Sequence, residues 1–331
     1  MSASKYNDSG LNHFLGFTGN PGAPLPLITV VTPAYQAMPY IQDNVASVDN
    51  QAYPNIEHIV IDGASTDGTL EYLQQQPGLI WRSEPDGGQS HALNKGFRLA
   101  QGEIIGWLNA DDVYLPGAVA TAVRFLLEHP DIDLVYSDLQ IIDQAGQVIG
   151  VSRSQPFELE PLLLGNYIKQ PTVFMRRKVI DRLGGVDENL HYVMDHEFWL
   201  RAGQTGFTLH YLPGQVLAGF RLIPGTKSYE QAPRFKQEWL SVLEQILPGA
   251  HFQHLSTAQK QNLLRKASAQ YHWANVISAV HRKDRKNMLH HMKLAFKVQP
   301  ALMLHRGAWL VFVKGLFGLK IDRYRRFRPG G

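Results

Sequence analysis

A chain of 331 residues with 44% hydrophobic and 18% charged side chains can bury a real core and is not a disordered polymer. Its net charge of +3 is too small to mark a nucleic-acid-binding protein. With no cysteine it holds no disulfide, thiolate metal site or cysteine nucleophile, and the length suggests about two domains.

Residues 1–26 are rich in Gly, Pro, Ser and Asn and read as a flexible lead-in, without the apolar core of a signal peptide. No run of 18 apolar residues occurs, so no transmembrane helix is expected. The lack of cysteine agrees with a reducing, cytoplasmic setting. Leu27–Thr32 is a continuous β-branched run stopped by Pro33, as in the buried strands of parallel sheets. A helix follows over 39–50. Ile56–Ile61 is a second buried strand, ending in the polar loop Asp62–Thr69, where Ser65 or Thr66 can cap a helix over 70–76. Leu79–Ser83 is a third strand. It leads to Glu84-Pro85-Asp86-Gly87-Gly88, whose glycines let backbone approach a ligand closely. A helix over 91–100 comes next. Strand–helix units in tandem, each closed by a polar loop, are the pattern of a doubly wound α/β sheet. Neither of the first two loops has the glycine spacing of a dinucleotide site or a P-loop.

Glu103–Leu108 is a buried strand that runs straight into Asn109-Ala110-Asp111-Asp112. Ligands of open α/β sheets bind at the carboxyl ends of the strands. A carboxylate pair there suits a hard divalent cation that also holds phosphate oxygens. The same aspartates can instead cap the helix that starts near Pro116 and runs to Glu128. Asp133–Ser137 is another strand, and Leu139–Asp143 with Gln147–Val151 makes a hairpin turning at Ala145-Gly146.

Val31-Thr32-Pro33-Ala34-Tyr35, then Val60 to Thr69, Glu84 to Gly88 and Leu108 to Asp112, make the region 27–225 resemble family 2 glycosyltransferases. The resemblance implies a GT-A fold, Rossmann-like with a mostly parallel sheet. It also implies a nucleotide-diphosphate sugar donor, most often a UDP-sugar, a divalent metal (Mn2+ or Mg2+) and inversion at the sugar carbon. It places Thr32, Pro33, Ala34 and Tyr35 along the nucleotide and Asp62 on the base. Asp86, Gly88, Asn94 and Lys95 flank the ribose and diphosphate. The family's Asp-x-Asp falls on Asn109-Ala110-Asp111, so the metal rests mainly on Asp111, with Asp112 as a second ligand. Plainer readings stand beside these. Asp62 and Asp67 can close Asx turns, Tyr35 can be a half-buried loop aromatic, and Lys95 a solvated helix lysine.

Further on, Lys169–Arg177 reads as a loop, a short strand and a helix start. Met194-Asp195 opens a helix with Phe198, Leu200 and Ala202 on its apolar side. The family usually has Glu-Asp here, and the resemblance makes Asp195 the catalytic base. A sugar hydroxyl is a poor nucleophile and needs a carboxylate to take its proton; N-capping is the other reading of Asp195. Leu217–Ser228 resembles the close of the family's catalytic domain, with Ile223 where many members place a His. Arg221 and Lys227 can neutralise diphosphate there or be plain surface cations.

From residue 231 the apolar spacing turns helical, over 235–247, 256–280 and 287–298, and the end of this stretch resembles one tetratricopeptide-type hairpin. Ala308–Leu319 is apolar and aromatic and is followed by Lys320, Arg323, Arg325, Arg326 and Arg328. Too short to span a bilayer, it can lie in a membrane interface or dock on the core. The expected organisation is a lead-in (1–26), an α/β catalytic domain (27–230) and an α-helical extension (231–331). The expected activity is transfer of a sugar to a saccharide or lipid-linked saccharide in glycan synthesis. It would take place in the cytoplasm or on the inner face of a membrane touched through 302–328, with no nucleic-acid partner. A nucleotidyltransferase of related fold is a rival, although Thr32–Tyr35 lacks its glycine-rich basic loop. A non-catalytic sugar-nucleotide scaffold is another, favoured by the departures at Asn109, Met194 and Ile223.

Overall fold

β1 (Ile28–Ala34), β2 (Ile56–Asp62), β3 (Ile80–Ser83) and β4 (Ile104–Trp107) form a parallel set in the order β3-β2-β1-β4. They belong to a computed structural model that describes residues 25–224, 226 and 231–317. The lead-in before residue 25, Lys227 and the cations from Lys320 onward lie outside the described residues. Every residue of β1 and β4 is buried. Strands covered on both faces have no solvent side, which is why they read as unbroken apolar runs.

The described chain divides into two compact units. One holds the residues up to Leu162 with Asn166–Leu222; the other holds Leu163–Gly165 and the residues from Ile223 on. Ile223 therefore goes with the helical unit, although the sequence motif groups it with the α/β region.

In the first unit, β5 (Val113–Tyr114), β6 (Leu134–Ile142), β7 (Val148–Ser152), β8 (Phe174–Arg176) and β9 (Leu209–Arg221) continue the sheet in the order β4-β8-β6-β9-β5, with β7 on β6. Here the pairing is antiparallel, except that β6 and β9 run parallel. β1 lies between β2 and β4, so the chain leaves it in both directions, the arrangement that opens a crevice at the strand's carboxyl end.

The helices of this unit are α1 (Tyr40–Asp49), α2 (Thr69–Gln74), α3 (Gln89–Leu99), α4 (Ala118–Glu128), α6 (Arg177–Leu183) and α7 (Met194–Gln204), and the short α5 (Leu159–Leu164) starts in it and ends in the second unit. α4 buries Val119, Ala122, Val123 and Leu126 in one cluster with Ile28, Val30, Ile104 and Phe174. α3 lies so close to β1 that a Cβ on Gly96 would sit 2.3 Å from Val31 Cγ1. Only glycine allows that approach.

Two local expectations change. Asp133–Ser137 and Leu139–Asp143 are one strand, β6, whose register against β9 shifts around Asp138, so the polar residue is absorbed as an irregularity rather than a break. Neither Ser65 nor Thr66 caps α2. Asp67 Oδ1 takes the Thr69 N–H at 3.1 Å, and the Ser65 hydroxyl accepts the Gln36 N–H at 2.8 Å.

The second unit contains α8 (Ala232–Ile246), α9 (Thr257–His281), α10 (Arg285–Val298) and α11 (Arg306–Leu316). α9 starts at a capping box between Ser256 and Gln259, and Asp284 caps α10 through the Asn287 N–H at 3.1 Å. Trp273, Val276, Met288, Met292, Ala308 and Val311 share its core. No helix among the described residues is long and apolar enough to cross a membrane.

Candidate active site

Four loops follow the carboxyl ends of β1, β2, β3 and β4. The first two are locked together. Gln36 N–H and Nε2 donate to Ser65 Oγ and Thr66 Oγ1 (2.8 and 3.1 Å), Ala37 N–H to Thr69 Oγ1 (3.0 Å) and Met38 N–H to Asp67 Oδ2 (2.9 Å). Gln36 and Ala64 hold left-handed φ of 49° and 61°, a conformation that ordinary residues keep only where their surroundings impose it. The third loop joins them at Gly63, where a Cβ would lie 3.2 Å from Asp86 Oδ2 and 3.3 Å from Tyr35 Cδ2. Tyr35, 69% exposed, and the half-buried Asp86 thus flank one glycine at the strand ends. Asp86 Oδ1 accepts the Gly88 N–H at 2.8 Å, and Gly88 itself takes a φ of +112°.

Several residues that the resemblance assigns to the ligand face inward instead. Thr32 and Pro33 are buried within β1, and the Thr32 hydroxyl pairs with His58 Nε2 at 3.0 Å. Burial holds His58 down near a pKa of about 3, so it is the neutral ring that pairs. Of the Thr32–Tyr35 run, only Tyr35 presents substantial surface. Asp62 is inaccessible. Its oxygens accept from the Ser65 N–H (3.0 Å), the Ser65 hydroxyl and the Ser83 hydroxyl (2.6 Å), which closes the Asx turn. Asn94 grips the backbone of Val186 with both ends of its amide, at 2.9 Å each, and also donates to Glu188. A Cβ on Gly185 would fall 2.2 Å from Asn94 Oδ1, so this turn tolerates no side chain. Lys95 is ion-paired with Glu84 at 2.7 Å.

The fourth loop carries the centre of the site. Asn109 Oδ1 accepts from Gln89 Nε2 (2.8 Å) and Trp107 Nε1 (3.0 Å), while its Nδ2 donates to Gln170 Oε1 (2.9 Å). Gln170, buried in a single 3-10 turn, donates in return to the Trp107 carbonyl at 2.6 Å. Ala110 packs in the cluster of Ile41, Val45 and Leu73. Asp111 is half-buried, and loss of water pushes its carboxyl above the usual range.

Asp112 is wholly buried. Its Oδ1 accepts the Arg221 N–H at 3.0 Å, its Oδ2 has no hydrogen-bond partner, and burial followed by the nearby Asp111 charge raises it well above an ordinary carboxylate. Arg221 is equally buried. Its guanidinium donates to the Asp111 and Gln144 carbonyls (3.1 and 3.0 Å), pairs with Asp43 at 2.7 Å and stacks over Tyr40. It fixes the loop from beneath and is not a free cation for diphosphate. Among the described residues no three His, Asp or Glu are grouped to hold a metal ion.

Asp195 opens α7. Asn166 Nδ2 donates to its Oδ2 at 2.8 Å. Burial pushes its pKa up to about 6, against the opposing pull of the His196 N–H, Asn166 and Lys169. Asn166 and Gln170 went unmarked in the sequence. They lie in an irregular stretch with no motif or period, and only the fold brings them to Asp195 and Asn109.

The family model for glycosyl transferase family 2 matches residues 29–182. TuaG of Bacillus subtilis, by name a teichuronic acid biosynthesis glycosyltransferase, is 29% identical over 222 residues, 65% of this chain and 86% of that protein. An uncharacterised glycosyltransferase of Mycobacterium tuberculosis is 32% identical over 185 residues, 54% of this chain and 69% of its own length. The crystal structure of S. aureus TarS with UDP-GlcNAc superposes with a TM-score of 0.60 at 18% identity, over 88% of this chain and 89% of that one. The Pyrobaculum calidifontis mannosyltransferase PcManGT, with GDP-Man and Mn2+, gives 0.54 at 20% identity, over 90% and 89%. The fold is therefore GT-A, and the sequence relatives are glycosyltransferases by name. The chain is a glycosyltransferase and belongs to glycosyl transferase family 2.

Proposed function

We propose that this chain moves a sugar, with inversion, from a nucleotide-diphosphate sugar to an acceptor hydroxyl in the synthesis of a bacterial surface polysaccharide. The observation that carries the reading is the stretch 166–170. Gln170 holds Asn109, two residues before Asp111, and Asn166 holds Asp195. One short loop thereby ties the candidate diphosphate clamp to the candidate base. UDP is the donor nucleotide favoured, because TarS, of the same fold, is seen with UDP-GlcNAc. TuaG's name supports the polysaccharide setting.

Tyr35 and Asp86, meeting at Gly63, form the nucleoside wall in this reading, with Gly88 opening the backbone toward the diphosphate. Asp62 has about one lone pair left after three hydrogen bonds. A base N–H reaches it only if its turn shifts, and otherwise the residue shapes the wall. Thr32, Pro33 and Asn94 hold the framework.

A divalent cation fits Asp111. It is a hard oxygen donor whose charge is penalised by burial, and Mg2+ or Mn2+ is usually held by one or two carboxylates plus substrate phosphates rather than by a protein cage. Asp112, turned to the Arg221 amide, is assigned to holding the loop rather than to the metal. When bound, the cation neutralises charge on the departing diphosphate. Asp195 takes the acceptor's proton as the acceptor oxygen bonds to the sugar carbon, while the bond from that carbon to the diphosphate breaks and its electron pair leaves on the diphosphate oxygen. A carboxyl held near 6 is ionised at neutral pH yet basic enough for the task. A thermal-shift panel of nucleotide sugars with Mn2+ tests the reading, since a ligand that binds the native state raises its melting point. If no nucleotide sugar stabilises the protein, the proposal fails.

A further inference from the structure

α11 is apolar on two sides. Ala308, Val311 and Gly315 are buried in the core of the helical unit, so tightly that a Cβ on Gly315 would lie 2.2 Å from Met288 Sδ. The outward face, at spacings of three and four, carries Trp309 (47% exposed), Leu310 (54%) and Val313 (44%), and Phe317 (72%) follows at the helix end. A surface helix normally turns a polar face to water; one that is apolar all round belongs against another apolar phase. Beside it lies an open groove of about 530 Å³, lined by Leu289, Met292, Phe296, Met303 and Trp309, with Lys293 and Lys297 on its rim. Trp309 sits between the two features. Its ring meets Phe312 at 5.6 Å edge-on and Phe296 at 6.3 Å, and its Nε1 donates to the Met303 carbonyl at 2.6 Å.

Charge identifies the occupant. Among the described residues from 285 to 317 there are six Lys and Arg and no Asp or Glu, in a chain whose net charge is only +3. A second copy would bring the same positive charge to this face. An anionic bilayer complements both its charge and its apolar stripe. We propose that the outer face of α11 and the adjoining groove seat in the interface of a membrane containing anionic lipid. Trp309, Leu310, Val313 and Phe317 enter among the acyl chains, and Lys293, Lys297 and Arg306 meet the head groups. The helix docks on the protein core and on the membrane at once, so the two readings of the C-terminal segment are compatible.

Cosedimentation of the full chain with phosphatidylcholine vesicles, with and without phosphatidylglycerol, tests this without any sugar substrate. Binding is expected to the mixed vesicles, to weaken with salt, and to be lower on the neutral ones. Leu310→Gln/Val313→Gln and Lys293→Gln/Lys297→Gln each should lose on the order of tenfold in vesicle affinity. All four residues are exposed, so circular dichroism should show unchanged folding in both variants. Equal binding to neutral vesicles, no binding to either, or full binding by the Leu310/Val313 variant overturns the proposal. So does self-association without lipid that the same variant abolishes, which would make the occupant a second copy.

Discussion

Asn109 donates through Nδ2 to Gln170 Oε1 at 2.9 Å, and Gln170 donates back to the neighbouring Trp107 carbonyl at 2.6 Å. With Gln170 Nε2 committed to Trp107, its Oε1 needs a donor at position 109, which an amide supplies and an aspartate would not. Removing the partner tests the coupling. Gln170→Ala leaves the half-buried Asn109 amide and the buried Trp107 carbonyl unmatched and should cost about 1–3 kcal/mol. It should also raise the donor KM as the Asn109–Asp111 loop loosens. Denaturant unfolding and steady-state kinetics read the two effects; if neither moves, the bridge carries no coupling.

Asp195 and Asn166 make the pH dependence specific. If Asp195 is the base, as proposed, its carboxyl held near 6 makes kcat/KM rise with pH and level off above that value. Asn166→Ala removes a hydrogen bond that favours the ionised form, so the limb should shift to higher pH while donor binding stays unchanged. Asp195→Asn should lower turnover by about 10²–10⁴ with nucleotide affinity retained. Normal turnover in this variant removes Asp195 as the base.

The same carboxyl has a stability signature. Its native pKa lies above the ordinary value of 3.8, so the folded state binds the proton more tightly than the unfolded chain. Its contribution to stability is then fully present below about pH 4 and is lost as pH rises through about 6. Asp195→Asn should accordingly melt no lower than the wild type at pH 7, and the difference between them should shrink toward acid. Melting curves across this window check the sign.

Asp111 and Asp112 should separate cleanly. Asp111→Ala is expected to abolish the metal-dependent part of nucleoside diphosphate binding measured by calorimetry. Asp112→Asn keeps an oxygen for the Arg221 N–H and should leave that binding largely intact. Equal losses would return Asp112 to the metal site.

Arg221 anchors the carbonyls of Asp111 and Gln144 together with Asp43. Arg221→Met should cost about 1–3 kcal/mol, mostly from the half-buried Asp111 carbonyl left without its donor. The Asp43 pair adds little, because that carboxylate is 60% exposed. Urea unfolding gives the number, and a loss below about 1 kcal/mol would show that the loop finds other donors.

The motif order legible in the sequence already marks the strand-end loops. They sit where apolar runs stop, and a run buried on both faces stays mostly apolar until the chain leaves the sheet. Whereas β3 lies at the sheet edge and is partly exposed, β1, β4 and most of β2, with the loops after them, follow from that pattern. So does the placing of Asp195 at a helix start, because the helical apolar spacing begins with it.

What the sequence left open is which polar residues face a ligand. Thr32, Asp62, Asn94, Asp112 and Arg221 look alike in the chain to Tyr35, Asp86 and Asp111, yet the first group turns inward. Their partners lie far away, His58 for Thr32, Val186 for Asn94 and Arg221 for Asp112, up to 109 residues along the chain. A buried polar group must find a hydrogen-bond partner, and local periodicity cannot say which distant residue supplies it. Asn166 and Gln170 are the same case in reverse, unremarkable in sequence and placed at the centre only by folding. The sequence alone determined the fold class and the family, because both rest on local apolar runs and ordered loops. Tertiary packing decided the site, because each side chain's direction is set by partners that only the assembled sheet brings within reach.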